Sequence, residues 1–274
     1  MVRIGMVNYI NTAPIYEIWK EQVHEDNWRI IEGTPSHLNQ LLAAGEIDLG
    51  FVSSYEYAVR PDRYQILADL SISATGPVGS VFLFSQTEPE ELSGKSVLMT
   101  GQSDTSACLL KIVLEEFVQV KPDYFRGEVF AEHVEGVEPA AVLAIGDEAL
   151  RLRVEKQYPV QLDLAETWHR QTGLPFVFAV CAVREKYLQK HAEEVRKIHQ
   201  TLLTCRARGL ARLPEICERV ARRIPMDCVA CSSYLHAMEY DLQYIKQEAL
   251  KEFFTLLIRR GEADEHSLPL KIFS

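Results

Sequence analysis

Polar side chains follow apolar runs at four places in this sequence. The apolar runs cover residues 2–7, 47–52, 95–100 and 140–145. The polar side chains that come after them are Tyr9, Asn11, Thr12, Ser53, Ser54, Ser103, Thr105, Ser106 and Asp147. Ligands of open α/β sheets bind at the carboxyl ends of strands, and hydroxyl groups at helix starts suit anions. The pattern therefore predicts one shared cleft for a small, polar and anionic ligand.

The residues around these apolar runs and polar side chains favour units in which a strand is followed by a helix. The run 47–52 is short and apolar, as a strand covered on both faces requires, and Gly45 can end the preceding helix in the left-handed conformation. Pro14 suits the first turn of a helix, which makes Thr12 a predicted N-cap. Capping is also the structural alternative for the other hydroxyls, because a helix start needs an acceptor whether or not a ligand binds.

The composition is that of an ordinary folded α/β protein. Hydrophobic residues make up 47% of the chain and charged residues 25%, which argues against disorder. A length of 274 residues predicts about two domains with a sizeable core. No apolar run approaches the roughly 18 residues that cross a bilayer, so we expect no membrane segment. The chain enters a predicted strand directly after Met1, which leaves no room for a signal peptide and favours a cytoplasmic location.

The net charge argues against a nucleic-acid partner. It is −10 at pH 7 with an isoelectric point near 5.4, whereas nucleic-acid binding demands a basic surface. An acidic protein must bind an anion through local dipoles and donors, because its long-range field is repulsive. Six arginines between residues 206 and 223 could bind phosphate or an acidic partner. Their interleaving with apolar residues favours the solvated face of amphipathic helices instead.

The cysteines and histidines form no strong metal or redox motif. Of the six cysteines, only Cys228 and Cys231 have a suggestive spacing, which suits a redox pair or half of a zinc site. There is no second Cys-x-x-Cys pair and no histidine pair with ligand spacing, so we favour reduced thiols on or beside a helix. We therefore predict no metal site.

The chain is α/β at first and nearly all helical later. Strand patterns occur at residues 3–7, 28–32, 47–52, 64–72, 80–85, 95–99, 140–145, 160–163 and 176–183. From residue 185 onward helix follows helix, and the last helix is predicted over residues 234–260. The strands at 80–85 and 176–183 suggest that the chain crosses twice between two lobes. We predict a bilobal ligand-binding protein, with residues 1–84 and 182–274 in one lobe and 85–181 in the other.

Six segments carry a resemblance to a known family. They are residues 3–14, 45–57, 79–85, 105–110, 144–150 and 168–179, which are specific together through their order and spacing. They resemble the menaquinone-biosynthesis branch of the type II periplasmic-binding-protein superfamily, and most closely the chorismate dehydratases of the futalosine route. The resemblance implies an α/β fold of two lobes, a ligand cleft between them and a helical C-terminal region.

The resemblance also implies a reaction, the removal of water from chorismate to give 3-[(1-carboxyvinyl)oxy]benzoate. Loss of the ring hydroxyl and a neighbouring ring hydrogen forms an aromatic ring, so neither a metal nor a redox cofactor is needed. Asn11 matches the asparagine that the family places at its reacting centre. Its amide can hydrogen-bond the leaving hydroxyl but cannot act as a general base. The base is either the substrate's own enolpyruvyl carboxylate or Asp147, unless Asp147 only caps its helix.

Substrate contacts are predicted mainly from the same segments. The protein must hold two carboxylates, and each charge-assisted hydrogen bond to them is worth on the order of 1.5–3 kcal/mol. The predicted donors are the hydroxyl groups of Ser54, Ser80, Ser103, Thr105 and Ser106. Tyr9, Thr12, Val81 and Trp168 complete the predicted substrate-binding set.

Two other functions stay open from the sequence. The sister enzyme that makes 1,4-dihydroxy-6-naphthoate in the same pathway resembles this chain in fold, but it carries a histidine before the acidic residue where this chain has Gly146-Asp147. A non-catalytic solute-binding protein for small anions is the alternative of a different class. Such proteins normally carry a leader, and we expect none here. The sequence leaves the oligomeric state open.

Overall fold

Two β-sheets with flanking helices make up the fold. The computed structural model describes residues 1–130, 138–224 and 226–274. The strands are β1 (Val2–Val7), β2 (Trp28–Gly33), β3 (Leu49–Ser53), β4 (Tyr64–Ala74), β5 (Val81–Ser85), β6 (Ser96–Thr100), β7 (Asp123–Gly127), β8 (Ala141–Ile145), β9 (Val160–Asp163), β10 (Phe176–Arg184) and β11 (Ile272–Phe273). The helices are α1 (Ala13–Gln22), α2 (Pro35–Ala44), α3 (Ser54–Val59), α4 (Asp104–Ile112), α5 (Gly146–Glu155), α6 (Leu164–Thr172), α7 (Glu185–Ala211), α8 (Leu213–Val220), α9 (Cys228–Ala237) and α10 (Tyr244–Arg259).

The strand order separates the chain into two sheets. The first sheet has the order β11-β4-β10-β3-β1-β2, and the second has the order β7-β6-β8-β5-β9. All residues of the central strands β3 and β8 are buried, as expected where helices cover both faces. The nine strands predicted from the sequence are present with shifted ends. The prediction omitted β7, an edge strand without an apolar run, and β11, which has two residues.

The chain passes between the sheets twice, as predicted, but at earlier positions. β5 pairs with β8 and β9 in the second sheet, and β10 pairs with β3 and β4 in the first. The predicted boundaries at 84/85 and 181/182 therefore fall inside these two strands. We propose two lobes whose boundaries lie in the segments 75–80 and 173–175, between the strands and helices of the two sheets.

The predicted last helix is wrong, because two helices flank an extended segment. α9 ends at Ala237, and α10 begins at Tyr244. Between them, the backbone of Glu239 exchanges two hydrogen bonds of 2.9 Å with Ser73 of β4. The Ser71 N–H donates to the Tyr240 carbonyl at 3.0 Å. Pairing with β4 satisfies the backbone that a continuous helix would have paired internally, and it brings Met238 to the sheet edge.

Arginines of the C-terminal region form ion pairs with α1. Arg212 and Arg219 contact Glu21 at 2.8 and 3.0 Å, and Arg223 contacts Glu17 at 2.6 Å. The apolar residues between them are buried, namely Leu213, Ile216 and Val220. These contacts agree with the amphipathic interpretation of this region.

The carboxylate of Asp48 connects three strands of the first sheet. Arg3, on β1, donates to it from the backbone N–H and from the guanidinium at 2.9–3.1 Å. Arg184, at the end of β10, donates to the same carboxylate, and its N–H donates to the Asp48 carbonyl at 3.0 Å. Burial raises the pKa of the Asp48 carboxyl, but the bonds from Arg3 and Arg184 outweigh burial and hold the pKa below its usual value.

We predict that Asp48→Asn destabilises the fold by about 3 kcal/mol, the lower end of the cost of breaking a buried ion pair. The lower end applies because the side chains of Arg3 and Arg184 are 36% and 23% exposed and retain some hydration. A carboxyl whose folded pKa is depressed stabilises the fold above its unfolded pKa, and this contribution is lost as pH falls through the folded pKa. Denaturant titrations between pH 7 and pH 2 should show this acid-dependent loss in the wild type but not in the variant.

Asp62→Asn is the matched control for this prediction. Asp62 pairs with Lys271 at 2.8 Å, but its side chain is 70% exposed. Loss of an exposed pair costs about 0–1 kcal/mol. Equal destabilisation by the two substitutions would contradict the role given to Asp48.

Candidate active site

A cleft lies between residues of the first sheet and residues of the second. Its volume is about 540 Å³, the open mouth included. The lining residues are Val7, Tyr9, Asn11, Thr12, Pro35, Ser53, Ile72, Val78, Ser80, Val81, Ser103, Ser106, Ile145, Gly146, Phe178, Ala179 and Met238. All four strand-to-helix turns identified in the sequence reach this cleft. The prediction of one shared cleft is therefore confirmed.

The cleft offers neutral donors beside apolar walls. Among the described residues that line it, none carries a charged side chain. Ser103 caps α4, since its hydroxyl accepts the Ser106 N–H at 3.2 Å and donates to the Ser106 hydroxyl oxygen at 3.1 Å. The Ser106 proton is then free to point into the cleft, next to the positive end of the α4 dipole. This arrangement suits an anion with an apolar body.

Asn11 presents an unpaired acceptor to the cleft. It lies in a short 3₁₀ turn, Ile10–Thr12, directly after β1. Its Oδ1 atom is buried and has no hydrogen-bond partner among the described residues. An unpaired buried amide oxygen costs roughly 1–3 kcal/mol, so this atom is suited to a donor that arrives with a ligand.

Asp147 lies behind the Asn11 turn rather than on the cleft lining. It is in the first turn of α5, and its Oδ1 accepts the Ile10 N–H at 3.3 Å. Burial raises the pKa of the Asp147 carboxyl, and the Ile10 hydrogen bond and the charges of Arg151 and Arg223 reduce that rise. The contact ties the Asn11 turn of the first lobe to α5 of the second.

Tyr9 also joins the two lobes. Its hydroxyl donates to Gln102 Oε1, and Gln102 Nε2 donates to Glu148 at 2.7 Å. Burial raises the pKa of the Glu148 carboxyl. The Tyr9 ring lies against Gly146, whose φ is +54° and whose missing Cβ would lie 2.9 Å from the ring. Only glycine fits there without strain, because both the backbone conformation and the ring exclude a side chain.

Ser80 and Val81 lie at the start of β5, and both line the cleft. The Ser80 carbonyl accepts the Gly146 N–H at 2.7 Å. The preceding N–H of Gly79 donates to the buried Asp163 carboxylate at 2.7 Å. The Ser80 hydroxyl oxygen accepts a hydrogen bond of 2.9 Å from Tyr234 on α9.

Three predicted substrate contacts do not reach the cleft lining. The Ser54 hydroxyl donates to the Val177 carbonyl at 2.7 Å, and the neighbouring Ser53 lines the cleft instead. The Thr105 hydroxyl oxygen accepts the Tyr55 N–H at 2.9 Å. Trp168 is completely buried and packs against Phe117, Phe176 and Phe253.

Thr12 lines the cleft but uses its hydroxyl locally. Its Oγ1 donates to the carbonyls of Val7 and Tyr9 at 2.5 and 2.9 Å. Although Thr12 precedes α1, its side chain makes no capping bond to that helix. The hydroxyl therefore shapes the turn that presents Asn11.

Several site residues were not predicted from the sequence. Part of the apolar wall of the cleft is formed by Ile72, Phe178 and Met238. Two other residues hold site residues in place: Gln102 binds Tyr9, and Tyr234 binds Ser80. Gln102 lies directly before Ser103 in one of the four polar turns. Its position in the sequence could therefore have identified it as a site residue. Tyr234 comes 154 positions after Ser80 along the chain, and no local pattern links them.

The described part of the chain has neither a cluster of metal-ligating side chains nor a helix that could span a membrane. Within the ranges 1–130, 138–224 and 226–274, no three His, Cys, Asp or Glu side chains are grouped so that they could hold a metal ion. In the same ranges, no helix is long and apolar enough to cross a membrane. The six cysteines are free thiols, and only Cys228 is exposed.

Solved structures of other proteins share the fold. A protein of Archaeoglobus fulgidus superposes with a TM-score of 0.77 at 20% identity, over 95% of this chain and 97% of that one. The periplasmic aliphatic sulphonate binding protein SsuA of Escherichia coli superposes with a TM-score of 0.68 at 13% identity, over 100% of this chain and 92% of that one. The fold is therefore periplasmic-binding-protein-like, with a helical C-terminal region.

Sequence comparison identifies the family. A chorismate dehydratase of Thermus thermophilus is 33% identical over 91% of this chain and 93% of its own length. A second chorismate dehydratase, from Campylobacter jejuni, is 31% identical over 68% of this chain and 70% of its own length. The family described as menaquinone biosynthesis matches residues 2–259. The chain thus belongs to the menaquinone-biosynthesis family.

Proposed function

We propose that this protein is a chorismate dehydratase, a lyase that converts chorismate to 3-[(1-carboxyvinyl)oxy]benzoate in menaquinone biosynthesis. The observation that carries the proposal is the unpaired, buried Oδ1 of Asn11 in a cleft of neutral donors. The 33% identity of this chain to a chorismate dehydratase also supports the proposal. A biosynthetic role also supports the predicted cytoplasmic location.

The chemistry needs binding and positioning more than a strong protein acid or base. A base removes one ring hydrogen as a proton, and the electron pair of that C–H bond forms the new ring double bond. The neighbouring hydroxyl leaves with the electron pair of its C–O bond and takes up the proton that the base removed, which gives water and restores the base. The product ring is aromatic, which makes the overall step favourable. Asn11 Oδ1 would accept a hydrogen bond from the substrate hydroxyl and fix its orientation before the C–O bond breaks.

Neutral hydroxyls would bind the two carboxylates. Ser106 at the start of α4, together with Ser80, can supply hydroxyl donors to an anion without a buried countercharge, whereas the Ser103 proton is already donated to Ser106. The apolar residues Val81, Ile145 and Phe178 would lie along the ring of the substrate. This apolar surface suits the planar aromatic ring of the product as well as the ring of the substrate.

The substrate's own enolpyruvyl carboxylate is the better candidate for the base. The alternative, Asp147, is directed at the Ile10 N–H and is absent from the residues lining the cleft. Its carboxylate would instead hold the turn that presents Asn11. Intramolecular proton transfer requires only that the protein hold the enolpyruvyl group over the ring hydrogen.

Incubation of the purified protein with chorismate tests the proposal. We expect chromatography to show 3-[(1-carboxyvinyl)oxy]benzoate and one water lost per substrate, without added cofactor. Calorimetry with chorismate under the same conditions separates an enzyme from a solute-binding protein. Chorismate that binds and is recovered unchanged would refute the dehydratase. The sister enzyme would leave chorismate unconverted as well.

We predict that Asn11→Ala lowers kcat by about 10²–10³, the effect of removing one preorganised group from the reacting centre, while KM changes less. Steady-state kinetics with chorismate measures both constants. Asn8→Ala is the control, because Asn8 lies between β1 and the Asn11 turn but donates to Glu32 outside the cleft. An Asn11→Ala variant that folds and retains near-normal kcat would make Asn11 a turn residue only.

We predict that Asp147→Asn retains most of the turnover, since the amide oxygen can still accept the Ile10 N–H. Removing an essential base would instead abolish turnover and remove the acidic limb of the pH–rate profile.

The pH dependence of stability gives a second measurement of the role of Asp147. A carboxyl with a raised folded pKa holds more protons in the folded state, so its contribution falls as pH rises from the unfolded pKa through the folded one. Thermal melting between pH 4 and pH 8 should show a smaller loss of stability with rising pH in the Asp147→Asn variant than in the wild type.

We predict different effects for two adjacent hydroxyls of α4. Ser106→Ala should weaken product binding by about 1–3 kcal/mol, because Ser106 lines the cleft. Thr105→Ala should instead lower the melting temperature, because it leaves the Tyr55 N–H between the lobes unpaired. Calorimetry with the product and thermal melting, applied to both variants, separate the two roles. The reverse pattern would restore Thr105 as a substrate contact.

A further inference from the structure

Tyr234 brings the C-terminal helical region to the cleft. It lies on α9 and is buried, and its hydroxyl donates to the Ser80 hydroxyl oxygen at 2.9 Å. Ser80 is 2% exposed and lines the cleft. A residue far along the chain therefore contacts a candidate donor to the ligand without lining the cleft itself.

The direction of this hydrogen bond follows from the surroundings. Ser80 is the hydrogen-bond partner of the Tyr234 hydroxyl among the described residues. If Ser80 were the donor, the Tyr234 proton would be buried without an acceptor, at a cost of roughly 1–3 kcal/mol. Tyr234 is therefore the donor, and the Ser80 oxygen is the acceptor. The Ser80 proton must point away from Tyr234.

The backbone of Ser80 is already fixed by other bonds. Its carbonyl accepts the Gly146 N–H at 2.7 Å, and the Gly79 N–H before it binds the Asp163 carboxylate at 2.7 Å. Asp163 is itself fixed at the start of α6, where it also accepts N–H groups of that helix. With the backbone fixed, the hydrogen bond from Tyr234 holds the position of Ser80 Oγ. Rotation about the Cβ–Oγ bond then decides where the hydroxyl proton points.

We propose that Tyr234 is a positioning residue for anion binding: it fills the acceptor side of Ser80 Oγ and so directs the Ser80 O–H into the cleft. The donation from Tyr234 also polarises the Ser80 hydroxyl, which strengthens the bond that Ser80 gives to a carboxylate. The inference rests on the proposed function, because it takes a substrate carboxylate as the group that Ser80 meets.

A double-mutant cycle tests this role. Its variants are Tyr234→Phe, Ser80→Ala and the two combined, and calorimetry measures the dissociation constant for 3-[(1-carboxyvinyl)oxy]benzoate. We expect Tyr234→Phe to weaken binding about three- to tenfold in the wild-type background, the size of one hydrogen bond's net contribution. In the Ser80→Ala background it should have no further effect, because its partner is gone.

Tyr240→Phe is the matched control. Tyr240 is a neighbouring buried tyrosine, but its hydroxyl has no partner among the described residues. We expect its product affinity to stay at the wild-type value. Melting temperatures of all variants report any general loss of packing. Equal weakening by Tyr234→Phe in both backgrounds, or none in either, would overturn the proposal.

The same samples separate this inference from the proposed function. A wild-type protein that binds the product but does not convert chorismate refutes the dehydratase, and the cycle still decides the role of Tyr234. A wild-type protein that binds neither compound overturns both proposals. Conversion of chorismate together with an additive cycle overturns the role of Tyr234 alone.

Discussion

The buried carboxylate of Asp48 fixes the geometry on which the cleft depends. It holds β1 through Arg3 and β10 through Arg184, at the end of the first sheet away from the cleft. Side chains alternate along a strand, so a shift of one residue would turn each of them to the opposite face. The register fixed at Asp48 therefore decides that Val7 and Ser53 line the cleft at the far ends of their strands, together with Ala179, which pairs with Ser53.

The second constraint is electrostatic. With a net charge of −10, the protein as a whole repels an anion. The cleft compensates locally, through the hydroxyls of Ser80 and Ser106 and the start of α4, which Ser103 caps, and without a charged side chain among its described lining residues. Neutral donors also leave the charge of the substrate's carboxylate intact. A carboxyl group without an arginine beside it keeps a higher pKa than one that is paired with an arginine, which agrees with the proposed substrate-borne base.

Contacts between the lobes shape the same site. Tyr9 reaches Gln102, Ile10 reaches Asp147, and the Tyr55 N–H reaches Thr105 across the cleft. Each contact pairs a cleft-lining residue, or its neighbour in the chain, with a group of the opposite lobe. These contacts therefore hold the two lobes together beside the cleft.

The sequence by itself determined the nine predicted strands, the four polar turns and the family, because these follow from local composition and spacing. It also located Asn11 and Ser106 correctly at the cleft. Only the tertiary structure decided between Ser53 and Ser54, since the Ser54 hydroxyl donates to the carbonyl of Val177, a residue far along the chain, while Ser53 lines the cleft. It also decided the break between α9 and α10, where pairing with β4 overrides a helical pattern, and the contact of Tyr234 with Ser80. Such contacts join residues far apart in sequence, so no local pattern of residues encodes them.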